Sequence, residues 1–183
     1  MLLPTHNMFA SSTHLEFEHW VAAPLEAVFL FFANPGNLPR IMPPSTDTEL
    51  VRVNIVPPPG IELKSATVTD QPPLAGLQSE IVTSFRLLPF LPFRAEWIAR
   101  ITEFEWNHHF ADVQQKGPFK SFHHRHEFLA ETRSGVAGTI IRDVINYEVG
   151  YGVLGALAQK LFVERQLRQT FAYRQRTSAQ MLL

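Results

Sequence analysis

The middle of the chain is a succession of segments in which apolar and polar residues alternate, and this pattern restricts the fold more than any other feature. Residues that favour turns separate the segments, among them a Pro-Pro-Pro-Gly run at 57–60, Gly117-Pro118 and Ser134-Gly135. A period of two is typical of strands with two unlike faces, and strands joined by short turns form an antiparallel meander. The sequence therefore predicts a sheet of about seven strands.

The predicted strands lie on both sides of a short helical region. Alternation predicts strands at residues 14–21, 49–55 (with an extension at 62–68), 79–88, 93–104, 109–115, 119–131 and 136–148. Between the first two, apolar residues follow Pro24 at helical spacing until Asn34-Pro35 ends the run, and residues 36–42 predict a second short helix. The chain thus begins with a strand and two short helices.

A long helix is predicted at the end of the chain. The last thirty residues contain no proline, and apolar residues recur at helical spacing as far as about residue 179: Leu154, Leu157, Leu161, Leu167 and Phe171. We interpret the arginines at 165, 168, 174 and 176 as its solvated face. The pattern predicts one α+β domain over residues 14–180, preceded by a flexible arm at residues 1–13.

Composition excludes several classes of function. A net charge of −1 provides no field that would attract nucleic acid, and the absence of cysteine excludes thiolate metal sites and a cysteine nucleophile. No apolar stretch is long enough to cross a bilayer, and no basic residue precedes an apolar run at the amino terminus. We expect a cytoplasmic protein that is not an integral membrane protein.

Strand alternation also predicts which side chains face the interior. On the last strand, Ile141, Asp143 and Tyr147 share the less polar face. On the strand before it, His124 and His126 share a face with two phenylalanines. At residues 109–115 the choice stays open, because either Phe110, Asp112 and Gln114 or Ala111 and Val113 could face inward.

Large aromatic side chains with a few polar groups are the usual composition of a small-molecule pocket. The predicted ligand-binding residues are Phe85, Trp97, Phe110, Asp112, Gln114, Phe122, His124, His126, Phe128, Ile141, Asp143, Tyr147, Leu157 and Leu161. Among these, His124, His126, Asp112, Asp143 and Tyr147 are the candidates for acid–base catalysis. We interpret the phenylalanines at 29, 31 and 32 as helix packing.

Two further patterns have ordinary explanations. Gly150, Gly152 and Gly155 match a dinucleotide-binding motif, but that motif needs a second parallel strand with an acidic residue about 20 residues later, and here the chain ends with the helix. His124 and His126 with one aspartate could bind iron or zinc, although a hydrogen-bond network is the stronger explanation for them. We expect no cofactor and no metal.

Two blocks of sequence resemble a known superfamily. The first is Val-Ala-Ala-Pro-Leu-Glu-Ala-Val-Phe at 21–29 with Phe-Ala-Asn-Pro-Gly-Asn-Leu-Pro at 32–39. The second is Phe110-x-Asp112-x-Gln114-x-x-Gly-Pro-Phe119, followed by Phe122-x-His124-x-His126-x-Phe128, Gly138-Thr139 and Asp143-x-x-x-Tyr147. These motifs resemble the SRPBCC or START-like helix-grip superfamily, which includes START lipid-transfer domains, the major birch-pollen allergen and bacterial polyketide cyclases.

The resemblance spans about residues 15–174 and implies a helix-grip fold, in which a curved antiparallel sheet wraps around a long carboxy-terminal helix and leaves a cavity between them. It does not determine function, because carriers, receptors, cyclases and hydrolases share such folds. We expect the chain to bind a hydrophobic small molecule such as a lipid, polyketide, quinone or isoprenoid. The alternatives are a cyclase, aromatase or dehydratase, a regulatory partner protein, and a polar cluster that only ties the sheet to the helix.

Overall fold

The computed structural model describes residues 12–59, 74–86, 93–150 and 162–183. Seven antiparallel strands form one sheet in the order β1-β7-β6-β5-β4-β3-β2. The strands and helices are β1 (Thr13–Val21), α1 (Leu25–Ala33), α2 (Leu38–Ile41), β2 (Glu49–Asn54), β3 (Glu80–Arg86), β4 (Arg94–Glu105), β5 (His109–Lys116), β6 (Ser121–Arg133), β7 (Val136–Glu148) and α3 (Glu164–Leu182). Single 3-10 turns at Pro35–Asn37 and Pro44–Thr46 flank α2.

The structure confirms the predicted α+β helix-grip architecture, with two short helices after β1 and a long helix at the end. The predicted boundaries need small corrections: β1 begins at Thr13, β2 ends at Asn54, and α3 continues to Leu182. The predicted extension at 62–68 and the beginning of the predicted long helix, including Leu157 and Leu161, lie outside the described residues.

A tight hairpin fixes the register of β6 against β7. Ser134 and Gly135 form its two-residue turn, and both have positive φ angles, 50° and 79°. Positive φ at both central residues is typical of a type I′ turn, whose twist matches that of the flanking strands. Pairing then continues without a bulge from Arg133 opposite Val136 to Ser121 opposite Glu148. The hairpin therefore determines which side chains of the two strands face each other.

Two aromatic clusters hold the helices on the sheet. In the first, Phe29 of α1 is fully buried and its ring lies 5.2 Å from that of Phe128 and 5.9 Å from that of Phe110. In the second, Phe171 of α3 stacks on Phe17 of β1 at 4.7 Å. Each buried ring contributes a large apolar area, so Phe29 and Phe171 are major contacts of α1 and α3 with the sheet.

The first strand approaches β7 closely at one glycine. A Cβ atom on Gly138 would lie 2.4 Å from the Trp20 ring and 2.4 Å from the carbonyl oxygen of Val21. Only a residue without a side chain fits such an approach. Next to it, the buried Thr139 hydroxyl donates a hydrogen bond to the carbonyl of Ala23 at 2.8 Å. These contacts fix the point at which the chain leaves β1 for α1.

Candidate functional site

A cavity of about 470 Å³ lies against the inner face of the sheet. Alternate residues of β3 and β4 contribute to its wall, among them Thr83, Phe85, Trp97 and Ala99. The α1–α2 region and α3 also contribute to the lining. Its volume is within the range of small-molecule pockets, roughly 300–1,000 Å³.

The polar part of the wall comes from β5, β6 and α3. Asp112, His124, His126 and Arg174 all line the cavity. His124 and His126 are each only 5% exposed, and their rings lie 4.1 Å apart, as neighbouring inward positions of one strand require. A second layer lies behind these side chains.

Asp143 of β7 forms that second layer. It is 2% exposed, and its Oδ1 atom lies 2.9 Å from Nε2 of His124 and 2.7 Å from Nδ1 of His126. One carboxylate oxygen thus contacts both imidazole rings. On the other side of His124, its Nδ1 atom lies 3.8 Å from Oδ2 of Asp112.

Both imidazoles are neutral at physiological pH. Burial, reinforced by the neighbouring His126, lowers the pKa of His124 from 6.5 to about 4. Burial also lowers the pKa of His126, although the interaction with Asp143 opposes the shift. A neutral imidazole has one N–H group and one lone pair, so it can donate one hydrogen bond and accept another.

The pKa values of the two aspartates of the site are shifted in opposite directions. Burial acts to raise the pKa of Asp143, but its interactions with His126 and His124 outweigh this effect, and the pKa lies well below 3.8. Burial raises the pKa of Asp112, and the nearby His124 and Arg174 offset this only in part. Asp143 is therefore the more acidic of the two aspartates, and Asp112 has a pKa above its ordinary value.

The position of Arg174 differs from the one that the sequence predicts. The sequence predicts four solvated arginines on the last helix, and Arg165, Arg168 and Arg176 are exposed, but Arg174 is half-buried and lines the cavity. Its position has a signal in the sequence, since Phe171, Arg174 and Ser178 recur at i, i+3 and i+7, the spacing of one helix face. Phe171 and Ser178 are the buried residues of α3.

The structure brings together only part of the predicted site. Seven of the predicted ligand-binding residues line the cavity: Phe85, Trp97, Phe110, Asp112, Phe122, His124 and His126. Five others do not line it: Gln114, Phe128, Ile141, Asp143 and Tyr147. Phe128 and Ile141 belong to the apolar cluster below α1. Leu157 and Leu161 lie outside the described residues.

Gln114 and Tyr147 have structural roles instead. The Gln114 amide donates to the carbonyl of Phe119 at 2.8 Å and accepts from its N–H at 3.3 Å, so it closes the turn between β5 and β6. Tyr147 is fully buried in the second apolar cluster, where burial raises the pKa of its hydroxyl. Strand alternation gave the correct face for Tyr147 but not its distance from the histidines.

Phe31 and Phe32 line the cavity, whereas the sequence predicts only a helix-packing role for them. The sequence favoured helix packing for Phe29, Phe31 and Phe32; Phe29 is such a residue, but Phe31 and Phe32 line the cavity. The Phe32 ring lies 5.5 Å from that of His126, so α1 contributes to the polar end as well. Phe29 is fully buried, whereas Phe31 and Phe32 are only partly buried and reach the cavity.

Within the part of the chain that the structure describes, two groups of side chains have donor sets that suit a metal ion. Asp112, His124 and His126 present ligand atoms within 4.8 Å of one another in the cavity wall, and Glu105, His108 and His109 do so at the β4–β5 turn. In the cavity, the positive charge of Arg174 opposes a cation, since it acts on both Asp112 and His126. Chemically the cavity group is better suited to hydrogen bonding and proton transfer.

Comparison with known proteins identifies a family for most of the chain. Residues 21–176 match the family model described as polyketide cyclase / dehydrase and lipid transport. No curated protein sequence matches the chain. Among the described helices, none is long and apolar enough to cross a membrane.

Solved structures share the fold at low sequence identity. A protein of Thermus thermophilus is 14% identical, with a TM-score of 0.64 over 93% of this chain and 97% of the other. The aromatase/cyclase ZhuI of a Streptomyces species is 14% identical, with a TM-score of 0.62 and 94% coverage of both chains. A START superfamily protein of Mycobacterium smegmatis is 16% identical, with a TM-score of 0.56 over 93% and 99%.

Proposed function

Because the chain belongs to the polyketide cyclase / dehydrase and lipid transport family, we propose that it binds a hydrophobic small molecule in the cavity. The apolar body of the ligand lies against the aromatic wall formed by residues such as Phe85 and Trp97. Its polar end lies at Asp112, His124 and His126. Lipids, polyketides, quinones and isoprenoids all have this division into an apolar body and a polar end.

One observation carries the proposal: a cavity of about 470 Å³ has a largely apolar wall with polar groups gathered at His124 and His126. Burying apolar ligand surface against such a wall provides the affinity, roughly 25 cal/mol per Å² removed from water. The few polar groups then determine the orientation, because a ligand placed the wrong way round would leave them without hydrogen bonds.

The test is ligand detection followed by a filled-cavity variant. Native mass spectrometry and organic extraction of the purified protein should reveal a bound apolar molecule, and an apolar fluorescent probe should bind. Ala99 lines the cavity and is 8% exposed, so Ala99→Leu should weaken probe binding about tenfold by occupying the space. Ala130→Leu, on an exposed position of β6, is the matched control. Absence of any bound molecule together with equal probe binding by both variants would refute the proposal.

A second function, acid–base catalysis of cyclisation or dehydration, is favoured by the contact of both imidazoles with Asp143. A neutral imidazole oriented by a carboxylate is a suitable general base. The two functions differ in the effect of His126→Gln. In an enzyme this change abolishes turnover and spares ligand affinity, whereas in a carrier it alters ligand affinity or stability.

A further inference from the structure

Arg174 lies in the cavity wall and forms no ion pair with any residue that the structure describes. Its guanidinium lies over the Phe171 ring, 4.9 Å from the centroid, which holds the side chain against α3. Among the described residues, no carboxylate forms an ion pair with it, and its buried Nε atom has no hydrogen-bond partner. Since a guanidinium stays protonated in proteins, Arg174 carries a positive charge that no described carboxylate contacts directly.

The two aspartates whose charges act on Arg174 make their direct contacts with the histidines. Asp143 and Asp112 are the groups whose charges act on Arg174, but the Asp143 carboxylate already contacts both histidines. Asp112 lies beside His124 at 3.8 Å, and burial favours its neutral form. A half-buried cation without an ion-pair partner is costly. An anion from outside the chain would remove this cost.

We propose that the ligand of the cavity is an amphiphilic carboxylic acid whose carboxylate pairs with Arg174. This inference rests on the ligand-binding function proposed above and specifies the ligand's chemical class. A guanidinium binds a carboxylate through two parallel N–H···O bonds, which gives both strength and orientation.

The experiment compares two probes that share one apolar chain, cis-parinaric acid and its methyl ester, on the full-length protein. Fluorescence titration of the unaltered protein should give an affinity about tenfold higher for the acid than for the ester, the usual effect of a charge-assisted pair. Arg174→Gln should lower the ratio of acid affinity to ester affinity from about ten to about one. Arg176→Gln, which removes the same charge from an exposed position of the same helix, should retain it.

The possible results separate three claims: the ligand-binding function, the carboxylic acid as ligand class and Arg174 as its partner. If the ester binds as tightly as the acid, the carboxylate assignment is wrong although the ligand-binding function stands. If neither probe binds, both the function and the inference built on it fail. Should Arg174→Gln retain the full preference for the acid, Arg174 is not the anion's partner. The comparison of acid with ester on the unaltered protein decides the ligand class even if the Arg174 variant does not fold.

Discussion

His126 and Asp143 stand directly opposite each other on β6 and β7, and Nδ1 of the histidine lies 2.7 Å from Oδ1 of the aspartate. The same oxygen forms a hydrogen bond with Nε2 of His124 at 2.9 Å. Because the hairpin turn sets the pairing of these strands, the polar cluster is a product of backbone register. The side chains that face the cavity are thus held from behind by one carboxylate.

Replacing Asp143 with asparagine should destabilise the fold. A neutral amide oxygen is a weaker acceptor than a carboxylate beside the two imidazoles, and the new NH₂ group needs partners of its own in a buried site. Leaving buried polar groups unsatisfied costs about 2 kcal/mol, which urea unfolding should detect. Glu131→Gln, on a partly exposed residue whose carboxylate pairs with Arg133, is the control. Equal midpoints for Asp143→Asn and the unaltered protein would contradict the structural role of this carboxylate.

Stability should fall on mild acidification. The pKa of His124 is lower in the folded chain, about 4, than its ordinary value of 6.5, so the unfolded state binds more protons between these values and the free energy of unfolding falls as pH falls. His126 and His19 act in the same direction, since their pKa values are also lowered by burial. Asp112, whose pKa is raised, acts in the opposite direction.

We therefore expect the free energy of unfolding to decrease by an amount on the order of 2 kcal/mol from His124 alone between pH 7 and pH 4. Urea unfolding at a series of pH values measures it. His126→Gln should flatten the dependence, because it removes one of the titrating groups. A free energy of unfolding that is constant over this range would show that the histidines are not buried as neutral groups.

Gly138→Ala should lower the stability of the fold, although it adds only one methyl group. The added Cβ would meet the Trp20 ring and the Val21 carbonyl, each at 2.4 Å, and strain of this kind costs about 2 kcal/mol. Gly150→Ala is the matched control, since its Cβ would meet only Lys120, at 4.0 Å. Thermal unfolding should therefore separate the two variants, and similar melting temperatures would mean that β1 can shift away from β7.

Metal analysis of protein purified without a histidine tag should find less than one zinc or iron per chain. The donor atoms of Asp112, His124 and His126 lie within 4.8 Å of one another, but the positive charge of Arg174 acts on the same group. One tightly held metal per chain that is lost on Asp112→Asn would overturn this expectation. Glu105→Gln controls for the second group, at the β4–β5 turn.

Strand alternation predicted the inward faces of β6 and β7 because each strand has a period of two and one clearly more polar face. It therefore placed His124, His126 and Asp143 inside correctly. It could not separate the residues that line the cavity from those that fill the core beside it, since Phe122 and Phe128 share one face yet only Phe122 reaches the cavity. That distinction depends on where α1 and α3 cover the sheet.

Arg174 was missed for a different reason. Arginine on a helix near the chain end is typically solvated, and the other three arginines assigned to that face are exposed. Its burial follows from its position on the same face as Phe171, which periodicity shows but residue type conceals. The charge that indicates the ligand class, that of Arg174, thus lies at a position where residue type alone predicts exposure to solvent.

The pairing of β1 with β7 joins the two ends of the domain, as the hydrogen bond from Thr139 to Ala23 shows across 116 residues of sequence. During synthesis, the first strand leaves the ribosome long before its partner exists. Contacts so distant in sequence form slowly, because the intervening chain must be ordered first. The first strand therefore stays without its partner until β7, which ends at Glu148, has been translated, so β1 joins the sheet late in folding.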